Sequence, residues 1–251
     1  MNKIFIFCLF AALFFSCKKK EDPEPGNPCV GAVETPVFMT SCDNFPDTKY
    51  FCSIEFVGNF QLEESSKAYQ PRYCEPVGKT IRYRNEKDEV IELKIDDKTY
   101  QKSNAVYSTV STCPGDSTKT VGYCIEYEQL QVGLREQTDK LDLTISILTK
   151  PDLRNPGPGN AGDFLVITRQ KNNNLFSEAS FVLNKRTLSY EEDFNQVHLD
   201  QVELLGKTYT DVFTNDITLF VDPKPYKYYF NKEIGLIGFV DSDGVLWVIE
   251  E

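Results

Sequence analysis

Histidine is almost absent from this chain of 251 residues, since His198 is the only one. Histidine-rich metal sites are therefore excluded, and a Ser-His-Asp or Cys-His arrangement would have to use His198. That residue lies at the entrance of a predicted strand, and no Gly-x-Ser-x-Gly segment is present to hold a nucleophilic serine. We interpret His198 as a surface or strand-edge residue. Glycine-rich phosphate-binding motifs are also missing, so the sequence predicts no catalytic residue, no cofactor and no metal.

Long apolar runs and basic clusters are scarce as well. The longest apolar run, residues 4–15, has twelve residues, whereas a membrane-spanning helix needs roughly 20. The formal net charge is −11, and the one lysine cluster is at residues 18–20. An acidic surface repels phosphate backbones, so the composition excludes nucleic-acid binding.

What is present at the start of the chain is typical of an export signal. Lys3 precedes the apolar run, which has the length of a signal peptide. Residues 13–17, Leu-Phe-Phe-Ser-Cys, resemble a bacterial lipobox, and this resemblance implies that Cys17 is lipidated and becomes the first mature residue. Phe14 departs from the aliphatic residue that the motif prefers. The alternative is an ordinary cleaved signal in which Cys17 is incidental, but the abrupt change to lysine and the absence of an Ala-x-Ala site favour the lipoprotein interpretation.

Residues 17–28 are predicted to be a flexible tether, because they are charged and Pro-rich and residues 18–28 include no apolar residue. Residues 18–22, Lys-Lys-Lys-Glu-Asp, resemble the export signals of Bacteroidota lipoproteins that are carried to the outer face of the outer membrane. Each lysine beside a lipid anchor would also favour anionic head groups by about 1 kcal/mol. We therefore expect a protein of the outer membrane, attached through its lipid anchor.

Six cysteines remain once Cys8 is removed with the signal and Cys17 is assigned to lipid. An even number of cysteines in an exported chain predicts disulfides, and no Cys-x-x-Cys spacing indicates zinc. We predict a clipped loop closed by one Cys113–Cys124 bond. The connectivity of the other four is not decided by the sequence, and we prefer the neighbouring pairs Cys29–Cys42 and Cys52–Cys74. The six candidates are Cys29, Cys42, Cys52, Cys74, Cys113 and Cys124.

From residue 79 onward, apolar and polar residues alternate with the period of two that is typical of antiparallel strands with one buried face. Ile81 and Tyr83 alternate with Arg82 and Arg84. In residues 121–134 the apolar residues change face near Leu130, which predicts a β-bulge or a strongly coiled strand. Further strands are predicted at residues 51–60, 91–95, 141–147, 164–169, 175–183, 199–214, 226–230, 235–240 and 245–249, a short helix in 61–69, and a long loop at 151–162.

About nine or ten short strands predict an all-β fold, an antiparallel meander that forms a curled sheet, half-barrel or barrel, with a β-sandwich as the alternative. We divide the chain into a signal peptide (1–16), the tether (17–28), a disulfide-held N-terminal segment (29–78) and the antiparallel β domain (79–251).

Three segments carry a family resemblance. Residues 78–90, residues 205–213, and residues 228–239 with 243–247 resemble parts of uncharacterised secreted lipoproteins of Bacteroidota. The resemblance consists of strand and turn patterns, and it implies a class of protein without supplying a catalytic residue.

Carboxylates are the one catalytic chemistry that the composition leaves open. A glycosidase needs two of them facing each other across a cleft, and the candidates on predicted strands are Glu126, Glu128, Asp142 and Glu203. These four acids are better explained as the polar positions of alternating strands, on a face exposed to solvent. Asp241, Asp243 and Gly244 resemble a calcium loop only in part, because apolar residues follow at once, so we predict a hairpin turn there.

Two further features bear on surface and core. Residues 116–118, Asp-Ser-Thr, resemble the short O-glycosylation sequon of Bacteroidota, which implies modification at Ser117. Aromatic residues make up 13% of the chain. On a curled sheet they are usually core or cross-strand partners rather than carbohydrate platforms. We therefore assign Tyr226, Tyr228, Tyr229 and Phe230 largely to the core, with one of the adjacent pair Tyr228 and Tyr229 on the other face.

Three functional hypotheses follow. The leading one is a non-enzymatic, lipid-anchored envelope module that binds a protein, glycan or apolar ligand. The second is a carboxylate-based hydrolase of extracellular glycans, and the third is a structural or adhesive surface protein. A dry apolar cavity would favour ligand binding, a deep cleft with two facing carboxylates would favour the hydrolase, and a filled core would favour the structural protein.

Overall fold

A computed structural model describes residues 37–38, 51–138, 141–152, 160–171, 174–185, 196–215, 227–241 and 243–250. Residues 1–28, Cys29, Cys42 and Tyr226 lie outside the described residues, as do the predictions that rest on them. In the described parts, the strands are β1 (Val37–Phe38), β2 (Phe51–Phe60), β3 (Thr80–Asn85), β4 (Val90–Cys113), β5 (Asp116–Glu136), β6 (Asp142–Pro151), β7 (Ala161–Lys171), β8 (Asn174–Asn184), β9 (Gln196–Leu204), β10 (Lys207–Asn215), β11 (Tyr228–Asn231), β12 (Gly235–Val240) and β13 (Leu246–Ile249).

These strands form one sheet that is nearly closed and barrel-shaped, so the predicted all-β antiparallel meander is confirmed. Strands β3 to β8 pair in chain order, and so do β9 to β13. Antiparallel pairing of β13 with β3 joins the two meanders, and β8 and β9 are the two ends of the strand order. The sheet thus curls on itself and does not form the alternative β-sandwich.

Alternation along the strands sets the two faces of this sheet. In β3, Ile81 and Tyr83 are buried while Arg82 and Arg84 are exposed, as predicted. In β6, Leu143, Ile145 and Ile147 are fully buried. The main core collects such residues from strands all around the barrel. Their burial is the dominant favourable term for folding, at about 25 cal/mol per Å² of apolar surface.

The predicted β-bulge near Leu130 is wrong. The pairing of β4 with β5 is regular there, with Ser103 opposite Tyr127 and Tyr100 opposite Leu130. The apolar residues change face because each half of β5 buries a different face. Leu130 belongs to the main core, whereas Ile125 belongs to a second, smaller cluster with residues of β2.

The predicted Cys113–Cys124 bond is also wrong, because Cys113 is bonded to Cys52. The presumed loop is the end of the β4–β5 hairpin, in which the register shifts between Ser108 and Cys113 and Val106, not Cys113, lies opposite Cys124. Seven residues along a strand correspond to about 23 Å, too far for a disulfide. The preferred Cys52–Cys74 pair is wrong as well, because Cys52 is bonded to Cys113. Cys74 and Cys124 are disulfide-bonded too, which agrees with the prediction that these cysteines form disulfides.

Residues 61–75, which we call the inner segment, connect β2 to β3 and run across the barrel. The helix predicted at residues 61–69 forms only over α1 (Glu64–Lys67), followed by a 3₁₀ turn at Pro71–Cys74. The Gln70 amide donates to Ile145 O in β6 at 3.0 Å. The ring of Tyr69 packs against Phe213 in β10 with centroids 5.9 Å apart. The segment therefore contacts a strand of each meander, and its Leu62 and Tyr73 belong to the main core.

Candidate ligand-binding pocket

The carboxylates proposed for hydrolysis lie on three strands, β5, β6 and β9. Asp142 lies opposite Arg135 and accepts a hydrogen bond from it at 3.3 Å. Glu128 lies seven residues before Arg135 on β5, so the two residues are about 23 Å apart. Glu203 is exposed on β9, and Glu126 is half-buried on β5. Glu126 and Glu128 are two residues apart on β5, roughly 7 Å, but neighbours on one strand do not face each other across a cleft as a glycosidase requires.

Glu128 instead anchors the inner segment. Its carboxylate is buried and accepts a hydrogen bond from Leu62 N at 3.1 Å. Asp163, fully buried on β7, accepts from the next backbone amide, Glu63 N, at 3.0 Å and from the Thr149 hydroxyl at 2.9 Å. Charged acceptors for buried N–H groups stabilise this turn of the chain. Both acids therefore have structural partners.

His198 is an exposed residue of β9, in agreement with its interpretation as a strand residue on the surface. Its Nε2 lies 2.6 Å from Asp211 Oδ1 on β10, and its ring packs against Phe213 with centroids 5.1 Å apart. Among the described residues, no group of three or more His, Cys, Asp or Glu side chains is placed to hold a metal ion.

Two turns, of which the one after Asp241 was predicted, are formed by side chains that accept hydrogen bonds locally. Asp241 accepts from Asp243 N at 2.8 Å and from Trp247 Nε1 at 2.8 Å, which closes the predicted hairpin turn between β12 and β13. At the tip of the β4–β5 hairpin, Asp116 accepts from the Thr118 hydroxyl and backbone, and these bonds lower the pKa of Asp116. Ser117 between them is exposed, and its glycosylation stays a prediction.

The aromatic residues of β11 lie where the alternation predicts. Tyr228 and Phe230 are buried in the main core, while Tyr229 is half-buried beside Gly238 and packs against the same core. Burial raises the pKa of Tyr229. In this part of the chain the core interpretation is therefore confirmed.

The pocket that we take as the candidate site lies where β13 ends. Ile249 is the last residue of β13, whereas β3 and β12 continue past it to Thr80 and Gly235. The pocket has a volume of about 810 Å³. Its lining residues come from β3, β13, the inner segment and two hairpin turns: Arg72, Lys79, Thr80, Ile81, Arg82, Arg84, Leu205, Lys207, Ile234, Val248, Ile249 and Glu250.

The β9–β10 hairpin supplies the outer wall of this pocket. Its two-residue turn, Leu205-Gly206, has φ values of 48° and 77°, the left-handed pair that a tight hairpin needs. Leu204, a residue of the main core, packs against Gly238 in β12, where any side chain at position 238 would come within 2.8 Å of Trp247 O. Close packing over a glycine thus holds the hairpin tip beside the pocket.

The pocket is cationic on its rim and apolar on its floor. Five of its lining side chains are Lys or Arg and one is acidic, Glu250, in a chain with a net charge of −11. The floor consists of Ile81, Val248 and Ile249, while Leu205 on the rim is 41% exposed. These guanidinium and ammonium groups can donate hydrogen bonds to an anion, and acids beside them neutralise four of the five.

Glu250 sits between the two arginines of β3. Its backbone N–H donates to Arg82 O at 2.8 Å, which places its side chain on the outer face. Arg82 Nε lies 3.3 Å from one carboxylate oxygen, and Arg84 binds the other oxygen through Nε and a terminal nitrogen. Hydrogen bonds from Arg84 to Asp88 and Glu250 raise the pKa of the Arg84 guanidinium, so it stays charged.

On the other side of the pocket, Glu75 holds Arg72 and Lys79. Lys79 Nζ lies 2.7 Å from one Glu75 oxygen, and Arg72 binds the other. Burial tends to raise the pKa of Glu75, but hydrogen bonds and charge from Lys79 and Arg72 outweigh it and lower that pKa. The two cations are therefore fixed in place by an ionised partner.

Sequence reasoning recognised Arg82 and Arg84 as the polar face of a strand but missed the pocket. The other lining residues come from positions near 72, 205, 234 and 250, and no local pattern links them. The one signal available was the pair of arginines at alternate positions in an acidic chain, since both must project from the same face.

Fold and site together define this protein as a nearly closed antiparallel β-barrel with a basic pocket in its wall. A search of protein-family models, curated proteins and solved structures found no match for the chain. Among the described residues, no helix has the length and apolar character needed to cross a membrane.

Proposed function

We propose that this chain is a lipid-anchored, non-enzymatic protein of the bacterial outer membrane that binds an anionic ligand in the basic pocket. The single observation that carries the binding role is the gathering of five cationic side chains around one concave site of an acidic chain. The lipobox-like segment at residues 13–17 supports the anchor. Of the carboxylates considered, none forms a facing pair, which gives the hydrolase hypothesis no support.

Each part of the pocket suits ligand binding rather than stability alone. Lys207 is exposed at the start of β10, next to the turn that forms the outer wall. Arg82 and Arg84 present guanidinium groups, which bind carboxylate and phosphate groups through paired hydrogen bonds. The apolar floor would accept the body of a small ligand, in the way that binding pockets combine apolar lining with few polar groups.

A second candidate, a structural surface protein, is favoured by the filled interior. Buried residues from strands around the barrel and from the inner segment make one continuous core. This observation concerns the inside of the barrel, however, and the basic pocket lies in its wall. Binding and structural roles therefore predict different results for variants of the pocket.

The test is calorimetric titration of the domain with hexanoate, hexyl phosphate and hexyl sulfate, with hexanol as the uncharged probe. We expect at least one anion to bind, hexanol to bind more weakly, and binding to weaken as salt is added. Arg82→Gln combined with Lys207→Gln should reduce the affinity about tenfold or more, since hydrogen bonds to charged groups contribute roughly 1.5–3 kcal/mol each.

The matched control is Lys119→Gln, which removes a positive charge from the β4–β5 hairpin, outside the pocket lining. It should leave the affinity within about twofold of the original, because exposed charges more than a Debye length apart are largely screened. Equal binding by the double variant and the original protein, or no binding of any anion, would count against the proposal.

A further inference from the structure

We infer that the ligand's anionic group is a carboxylate that takes the place of the Glu250 side chain on Arg82 and Arg84, with Glu250 acting as a tethered competitor. This inference rests on the proposed function and adds the class of ligand and the residue that sets its affinity. The structure shows both arginines already holding a carboxylate within the pocket lining. The protein itself therefore displays the chemistry that the site accepts.

The contacts at Glu250 match a carboxylate in shape as well as charge. Arg82 and Arg84 bind different oxygens of the Glu250 carboxylate, so each arginine contacts one oxygen. A free carboxylate offers the same two acceptors at the same spacing and the same single charge. Replacement of one by the other leaves neither arginine without a partner, and it avoids the cost of an uncompensated charge.

The two arginines are held in place by other acids when Glu250 moves away. Arg84 also binds Asp88 at 3.0 Å, and Arg82 lies 3.6 Å from Glu92. These second contacts keep both guanidinium groups near the pocket. A site whose donors are fixed before the ligand arrives loses less conformational entropy on binding.

Rotation about the side-chain bonds of Glu250 would take its carboxylate out of the site without moving the backbone. Its backbone stays attached to β3 through the bond to Arg82 O, while its side chain, 18% exposed, is at the boundary of solvent. A displaced Glu250 carboxylate would be hydrated again. The tether keeps it close, at an effective concentration on the order of millimolar, so an incoming ligand must compete with it.

The remaining lining residues indicate what the rest of the ligand is like. Leu205 and Ile234 lie at the pocket along with the buried floor residues Ile81 and Ile249. An apolar group beside the carboxylate would cover these side chains, at about 25 cal/mol per Å² of apolar surface removed from water. We therefore assign the pocket to a small organic acid with an apolar body.

The test compares Glu250→Gln with the original protein by calorimetric titration with hexanoate and hexyl phosphate. Loss of the competing carboxylate should raise the affinity for hexanoate about tenfold, and the original protein should prefer hexanoate to hexyl phosphate. Glu233→Gln is the matched control, since Glu233 is an exposed acid next to the lining residue Ile234. It removes the same charge without touching either arginine and should change the affinity less than twofold.

Several results would overturn the inference. Weaker or equal binding of hexanoate by Glu250→Gln would mean that Glu250 positions the arginines or has no part in binding. An equal gain of hexanoate affinity in Glu233→Gln would show that the effect comes from the overall charge and not from the contacts of Glu250. A preference of the original protein for hexyl phosphate would refute the carboxylate class but leave anion binding intact. Failure of every anion to bind would instead refute the proposed function itself.

Discussion

Arg82 and Arg84 gain their importance from Glu250, a residue 166 positions away from Arg84 in the chain. On their own strand they are ordinary exposed residues of an amphipathic pattern. In the barrel they share one carboxylate and line a pocket with three other cations. At the scale of single residues, the site therefore depends on which acid neutralises which base.

Glu75 offers a test at this scale. Its pKa is lowered in the folded protein by Lys79 and Arg72. A carboxyl group with a depressed folded pKa stabilises the fold above its unfolded pKa, and this contribution is lost as the pH falls through the folded pKa. Glu75→Gln should therefore lower the free energy of unfolding by about 1 kcal/mol near neutral pH.

The measurement is urea unfolding followed by the fluorescence of Trp247, at about pH 7 and about pH 3. The difference between the original protein and Glu75→Gln should shrink at the lower pH, since protonated Glu75 and glutamine carry the same charge. Glu86→Gln, in the exposed turn between β3 and β4, is the control and should match the original protein at both values. A difference that grows on acidification would contradict the assignment.

At the scale of elements, β4 and β5 are much longer than their alternation indicated. They form a hairpin of 24 and 21 residues. The N-terminal part of β5, up to Tyr127, pairs in parallel with β2, whereas β6 pairs only with the part from Gln129 onward. This arrangement brings Cys52 at the start of β2 to Cys113 near the hairpin tip. The disulfide thus joins β2 to the β4–β5 hairpin.

This bond predicts a specific crosslink. Peptide mapping without reduction should recover Cys52 linked to Cys113, and the Cys52→Ser, Cys113→Ser double variant should lose about 4 kcal/mol of stability, from the closure entropy of a 61-residue separation. Ser117→Ala, at the same hairpin tip, should have no such effect in the same unfolding assay. A peptide that links Cys113 to Cys124 would refute the connectivity.

At the scale of the whole molecule, two meanders meet because β13 pairs with β3. The pocket exists at this junction, where β13 ends before its neighbours do. An anchor at Cys17 would hold the barrel at a membrane surface while the pocket takes its ligand from the aqueous side. The barrel and the anchor are then separate parts with separate tests.

The anchor is tested by Cys17→Ala in the full chain, expressed with labelled fatty acid. We expect the variant to lose the label and to leave the membrane fraction, since without a lipid the mature chain keeps no apolar run of spanning length. Cys8→Ala, within the predicted signal peptide, should still be labelled. A Cys17→Ala protein that stays membrane-bound and labelled would refute the anchor.

The sequence alone was enough to predict the all-β class, and also β2, β3 and most hairpins, because alternation and turn residues are local properties of the chain. It did not predict the Cys52–Cys113 bond or the face change in β5, since both depend on which strand lies alongside. The curled sheet was predicted, but only the tertiary structure decided between a barrel and a β-sandwich and placed Glu250 on Arg82 and Arg84. Contacts between distant residues follow from pairing across the whole sheet, and no local pattern in the sequence records them.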